Sequence, residues 1–248
     1  MPKTVLLRYN NTTCPYNALH LPNEETESIG DHPWTSIFNA NSNNTRTLMS
    51  LGAREAQSFF APLRGRTATF LLEDRLANLD FASSIISLLV QTPDAAEILD
   101  LDALYTSNAD RIFRSLGPSA PVTLRVPEPG ADIEEELAAM FEGSQGVVIV
   151  DSLNSFYHLI SQEDGSSRGR KLNFAIAALA YLARTNAKAI LLSMYRREGF
   201  SHWGTGRSIS GLSDITASVY TRGEQLLIRA ERGAGWEGGV FSTRIPSG

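Results

Sequence analysis

Two groups of side chains in this sequence have types and spacing that suit chemistry. The first is a single carboxylate, Asp151, which ends the apolar run Gly146-Val147-Val148-Ile149-Val150 and precedes Ser152-Leu153-Asn154-Ser155-Phe156. A run apolar at every position fits a central strand of a parallel sheet covered on both faces. A carboxylate at the carboxyl end of such a strand lies where open α/β sheets bind ligands. Asp there equally suits a cap on the turn that follows. The second group runs from Arg196 to Arg207, where Arg196, Arg197 and Arg207 frame Glu198-Gly199-Phe200-Ser201-His202-Trp203-Gly204-Thr205-Gly206. Cations for phosphates, glycines for backbone freedom and the rings of Phe200 and Trp203 for stacking together suit a binder of single-stranded nucleic acid. The alternative is a surface loop whose rings tuck onto the core or a partner. His202 has no second histidine nearby and His20, His32 and His158 are scattered, so no metal site and no cofactor is expected.

These residues need a scaffold. A chain of 248 residues with 42% hydrophobic content can bury a sizeable core. Its net charge of -5 argues against a generally basic nucleic-acid binder, so any such contact must be local. The one cysteine, Cys14, excludes an internal disulfide and a Cys-rich zinc site. No apolar run approaches the roughly 18 residues of a membrane span, and the start lacks the apolar core of a signal peptide. The expectation is an intracellular protein, nuclear if eukaryotic and cytoplasmic if archaeal.

Residues 1–46 are rich in turn formers, with Pro15, Pro22, Pro33 and the run Asn39 to Asn44, and read as an arm or linker. Residues 47–248 read as one core domain of alternating strands and helices. Strands are expected over Thr67–Leu72, Glu97–Leu101, Val122–Val126, Gly146–Ser152 and Ala189–Met194. Helices are expected over Leu76–Val90, Asn108–Leu116, Asp132–Phe141 and Lys171–Arg184. The end, Ala217–Thr221, Gln225–Ala230 and Gly239–Arg244, reads as an antiparallel extension at one sheet edge. The fold class is therefore α/β, a mostly parallel twisted sheet covered by helices on both faces.

From Leu48 onward the order of these segments resembles the RecA/RadA recombinase superfamily, nearest to the paralogues of strand-exchange proteins. The resemblance rests on Ser50-Leu51-Gly52-Ala53-Arg54-Glu55 with Gly65-Arg66-Thr67-Ala68, on Leu101-Asp102 through Asp110-Arg111-Ile112, on the strand ending at Asp151, on Ser167-Arg168-Gly169-Arg170 before a long helix, and on Gly239-Val240-Phe241-Ser242. It implies a RecA-like core in which Asp151 ends the Walker B strand. It also places Arg168, Arg170 and Lys171 near the family's first DNA-binding loop, and Arg196 to Arg207 at its second.

The departures bear on activity. The family's phosphate loop has the form Gly-x-x-x-x-Gly-Lys-Ser/Thr, whose glycines admit backbone N–H groups to the phosphates and whose lysine neutralises charge. Here that place reads Leu72-Glu73-Asp74-Arg75-Leu76-Ala77-Asn78-Leu79-Asp80. Asn78 and Leu79 stand about where Lys and Ser/Thr belong, and the carboxylates of Glu73, Asp74 and Asp80 would repel a polyphosphate. The resemblance puts the family's catalytic glutamate at Leu104, which cannot take a proton; a register shift of two would put Asp102 there. Without a phosphate loop, Asp151 reads as a structural cap rather than a Mg²⁺ ligand.

The expectation is a non-catalytic RecA-like paralogue, an accessory in recombination or repair that binds a RecA-like sister subunit and single-stranded DNA. Three alternatives remain open: a subunit of an Elongator-type ring that binds transfer RNA, a purely structural partner of an active ATPase, and an ATPase with an unorthodox phosphate site. For the last, Arg75 is the only local cation.

Overall fold

The computed structural model describes residues 52–73, 75–114, 122–128, 131–141, 146–159, 168–195, 212–233, 236 and 239–246, with the backbone alone at 134, 141 and 168–170. The expected arm over 1–46 and the whole stretch from Arg196 to Arg207 lie outside them. In chain order the elements are α1 (52–60), closed by a 3₁₀ turn at Ala61–Leu63, then β1 (Thr67–Leu72), α2 (Arg75–Leu89), β2 (Ala95–Asp100), α3 (Leu104–Ser107), α4 (Ala109–Ile112) and β3 (Val122–Arg125). There follow α5 (Ile133–Phe141), β4 (Gly146–Asp151), α6 (Leu153–Leu159), α7 (Arg168–Asn186), β5 (Ala189–Tyr195), β6 (Ile215–Arg222), β7 (Gln225–Arg232) and β8 (Val240–Arg244).

The strands form one sheet in the order β3-β2-β4-β5-β1-β6-β7-β8. Pairing is parallel from β3 through β6 and antiparallel from β6 to β8, the arrangement expected from the sequence. Because side chains alternate across a strand, the apolar run of β4 serves two cores at once. Val147 and Ile149 join Phe70, Ile98 and Leu191 in a core under α1, α2 and α3. Val148 and Val150 join Leu99, Ile190 and Leu192 in a second core under α5, α6 and α7.

The first core is fastened by aromatic rings. Phe59 of α1 stacks on Trp236 at 5.6 Å between centroids and meets Phe241 of β8 at 4.9 Å. The Trp236 indole N–H donates to the Phe59 carbonyl at 3.1 Å, so this buried polar group is satisfied.

Three helical segments differ from the sequence expectation. Of the helix expected over Asn108–Leu116, the described residues show the short α4, with the turn α3 before it, while 115 and 116 lie outside them. The carboxylate of Asp100 accepts the backbone N–H of Tyr105 at 3.3 Å and of Thr106 at 2.8 Å, which starts a helical turn early. Asn108 then donates its amide to the Leu104 carbonyl at 2.9 Å, ending that turn. The helices over 52–60 and Leu153–Leu159 have no counterpart in the sequence reading.

Candidate functional site

The alternation that sends Ile98, Ile149 and Leu191 toward α2 also aims the residues two places further on, Asp100, Asp151 and Ser193. The carboxyl ends of β2, β4 and β5 thus present a row of polar groups to α2 and α3. Asp100 and Asp151 are Cα partners across β2 and β4.

Asp151 is fully buried. Its Oδ1 accepts Asn78 Nδ2 at 3.0 Å and also the Ser193 hydroxyl, while Oδ2 is buried without a hydrogen-bond partner. The same Asn78 amide nitrogen donates to the Tyr195 hydroxyl at 2.8 Å, and Asn78 Oδ1 is likewise buried and unpartnered. Burial pushes the Asp151 carboxyl up to about 6; the bonds from Ser193 and Asn78 oppose this, and the charges of Asp102 and Asp100 add to it. Burial also raises the Tyr195 hydroxyl, to about 12. Asp100 is pushed above its ordinary value by burial as well, against the hydrogen bonds from Thr106, Tyr105 and Leu104.

Asp151 does not cap the helix that follows it, contrary to the sequence expectation. Its side chain points back across the strand ends, because the alternation of β4 directs it to α2. Ser152 takes the capping role, accepting the Ser155 N–H on its hydroxyl oxygen at 3.4 Å. A second knot lies beside it: Asp102 accepts the Ser152 hydroxyl at 2.7 Å and also the Ser155 hydroxyl. Asn154 Oδ1 accepts the Tyr195 N–H at 2.9 Å, fastening α6 to the end of β5.

The segment that reads as the family's phosphate loop is short. Only Glu73 and Asp74 separate β1 from α2. Glu73 and Arg75 are exposed, Asp74 lies outside the described residues, and Leu79 packs on the first core. Asp80 does not face the strand ends as a free charge, because Arg111 of α4 pairs with it at 2.6 Å. Leu104 opens α3 and packs on the first core, so the carboxylates nearest the end of β2 are Asp100 and Asp102. Asp100 escapes the sequence reading, although its place at the end of an apolar strand matches that of Asp151. Arg168, Arg170 and Lys171 form the first turn of α7; Lys171 is half-buried. Arg196, Arg197, Phe200, Trp203 and Arg207 are outside the described residues.

A KaiC-like protein from the hyperthermophilic archaeon Pyrococcus horikoshii OT3 matches this architecture with a TM-score of 0.50, covering 73% of this chain and 90% of its own, at 10% identity. The fold is RecA-like. At that identity the likeness concerns the fold alone. No family model matches the sequence, and no curated protein matches it. In this RecA-like sheet the polar row belongs to the crevice outside the strand ends, the usual ligand position of open α/β sheets. No described helix is long and apolar enough to cross a membrane.

Proposed function

We propose that this chain is a non-catalytic RecA-like subunit, an accessory in homologous recombination or DNA repair that binds a RecA-like sister subunit and single-stranded DNA. The observation that carries the first part is the set of partners of Asp151. In a working nucleotide site the strand-end carboxylate is kept available to a metal and its water. Here Asn78 and Ser193 occupy one of its oxygens within the protein, and burial favours its neutral form. A two-residue connection from β1 to α2 supplies too few backbone N–H groups to wrap a phosphate, and it holds no glycine or lysine.

The sister subunit is supported by α7. Phe174 is 76% and Tyr181 65% exposed, and no charged residue stands between Leu172 and Ala183. Exposed rings on an uncharged stretch mark a surface that another protein covers. The nucleic-acid reading is supported by the composition of Arg196 to Arg207. Isothermal titration of Mg-ATP into the purified chain tests the central claim, with no heat of binding expected. Micromolar affinity that is lost on Arg75→Ala overturns it and makes the chain an ATPase with an unorthodox phosphate site.

A further inference from the structure

The extension β6-β7-β8 has two unlike faces. One closes the first core with Val219, Leu226, Ile228 and Phe241, all buried. The other is defined by the pairing of the strands: Ser218 opposite Arg229 opposite Val240, then Tyr220, Leu227 and Ser242, then Arg222, Gln225 and Arg244. Ser218, Tyr220 and Leu227 on this face are half-buried and the other positions are exposed.

An outward sheet face is ordinarily solvated and mixed in charge. The nine paired positions of this one hold three arginines, in a chain whose Asp+Glu number 27 against 22 Lys+Arg, and two acids reach it. The acidic residues nearby sit at its margins. Glu224, in the turn, pairs with Arg244 at 2.7 Å, and Glu231, at the strand irregularity, accepts the Ser218 hydroxyl. The side chains of Arg222 and Arg229 make no hydrogen bond or ion pair among the described residues. They lie in the rows on either side of Tyr220 and Leu227, and rows on one face of a strand are about 7 Å apart.

We infer that the outward face of β6-β7-β8 is a docking platform for single-stranded nucleic acid. A base stacks on Tyr220 against Leu227, and the flanking phosphates meet Arg222 and Arg229. The inference rests on the reading of this chain as a nucleic-acid binder, and assigns it a contact separate from the stretch Arg196 to Arg207. β6 runs parallel to β1 and passes its end, with Val219 beside Leu72, so Tyr220 and Arg222 lie toward the carboxyl end of the parallel strands. Aromatic faces with cations on both sides are the usual means of holding single strands without sequence preference.

The test uses the full chain, a fluorescein-labelled oligothymidylate and anisotropy titrations at several salt concentrations. Three variants are compared: Arg222→Gln with Arg229→Gln, Tyr220→Leu, and a loop variant with Arg196, Arg197 and Arg207 all changed to Ala. The arginine pair variant is expected to lose affinity and to reduce the salt slope by about 1.4, from about 0.7 for each phosphate contact on a single strand. Tyr220→Leu is expected to weaken binding roughly 5- to 150-fold with the slope nearly kept. If both sheet variants bind like the unaltered chain while the loop variant fails, the platform is refuted and the nucleic-acid reading stands. If the unaltered chain does not bind oligothymidylate, both are refuted. Saturable binding of labelled polyglutamate in its place assigns the face to an acidic protein. Thermal melting of each variant separates lost contact from lost fold.

Discussion

Asp151 sets the chemistry of the strand ends through what burial does to its proton. Its carboxyl ordinarily titrates near 3.8 and is raised to about 6 in the folded chain. Between those values the folded protein holds a proton that the unfolded chain has released, so stability falls as pH rises through this window and remains lower above it. The gap corresponds to about 3 kcal/mol. Asp100, also raised by burial, pulls in the same direction. Asp151→Asn removes the charge and keeps an acceptor for Asn78. The variant is expected to unfold at higher denaturant than the parent at pH 8, to match it more closely at pH 4, and to show a flatter pH profile in urea titrations. A variant less stable than the parent by more than about 2 kcal/mol at pH 8 would show that the carboxylate is required in its ionised form.

At the scale of elements, helix α7 is buried on one side by Leu172, Ile176, Leu179 and Ala183, and bare on the other at Phe174 and Tyr181. Phe174→Gln and Tyr181→Gln are expected to change the stability of the isolated chain by no more than about 0.5 kcal/mol, because neither ring is in the core. Ile176→Ala, two residues from Phe174 on the buried face, is expected to cost about 2–5 kcal/mol. Chemical denaturation of the three variants checks this contrast. The strands were readable from sequence because a strand covered on both faces, as β4 is, needs an apolar residue at nearly every place, and β1 interrupts its apolar residues only with the β-branched Thr67 and Thr69. Helix ends were less readable, since α3 begins where the Asp100 side chain captures two N–H groups, an event that no periodicity records. The polar knot was the least readable part. Asn78 meets Tyr195 117 residues along the chain, and nothing local to either residue marks the pairing. The carboxylate was visible in the sequence, but the groups that occupy it were not.

Across the whole molecule, the ring cluster of Phe59, Phe70, Trp236 and Phe241 joins the first described helix to the last strand. Trp236→Ala removes the stack on Phe59 and the bond to its carbonyl, and is expected to cost about 3–5 kcal/mol, read as a lower melting temperature with loss of near-ultraviolet circular dichroism. The position of β1 has a consequence in time as well as in space. It is the first of the described strands to be made, and it lies between β5 and β6, with Thr67 meeting Ile190 and Ala68 meeting Ile215. On the ribosome, therefore, Thr67 to Leu72 emerges with both edges open and waits until most of the chain has followed. Contacts this distant along the chain make folding slow, and an open apolar strand invites aggregation meanwhile. Nascent chains that stop before Ala189 are expected to remain bound by chaperones or to aggregate, whereas release after Arg244 lets the sheet close around the strand that was made first.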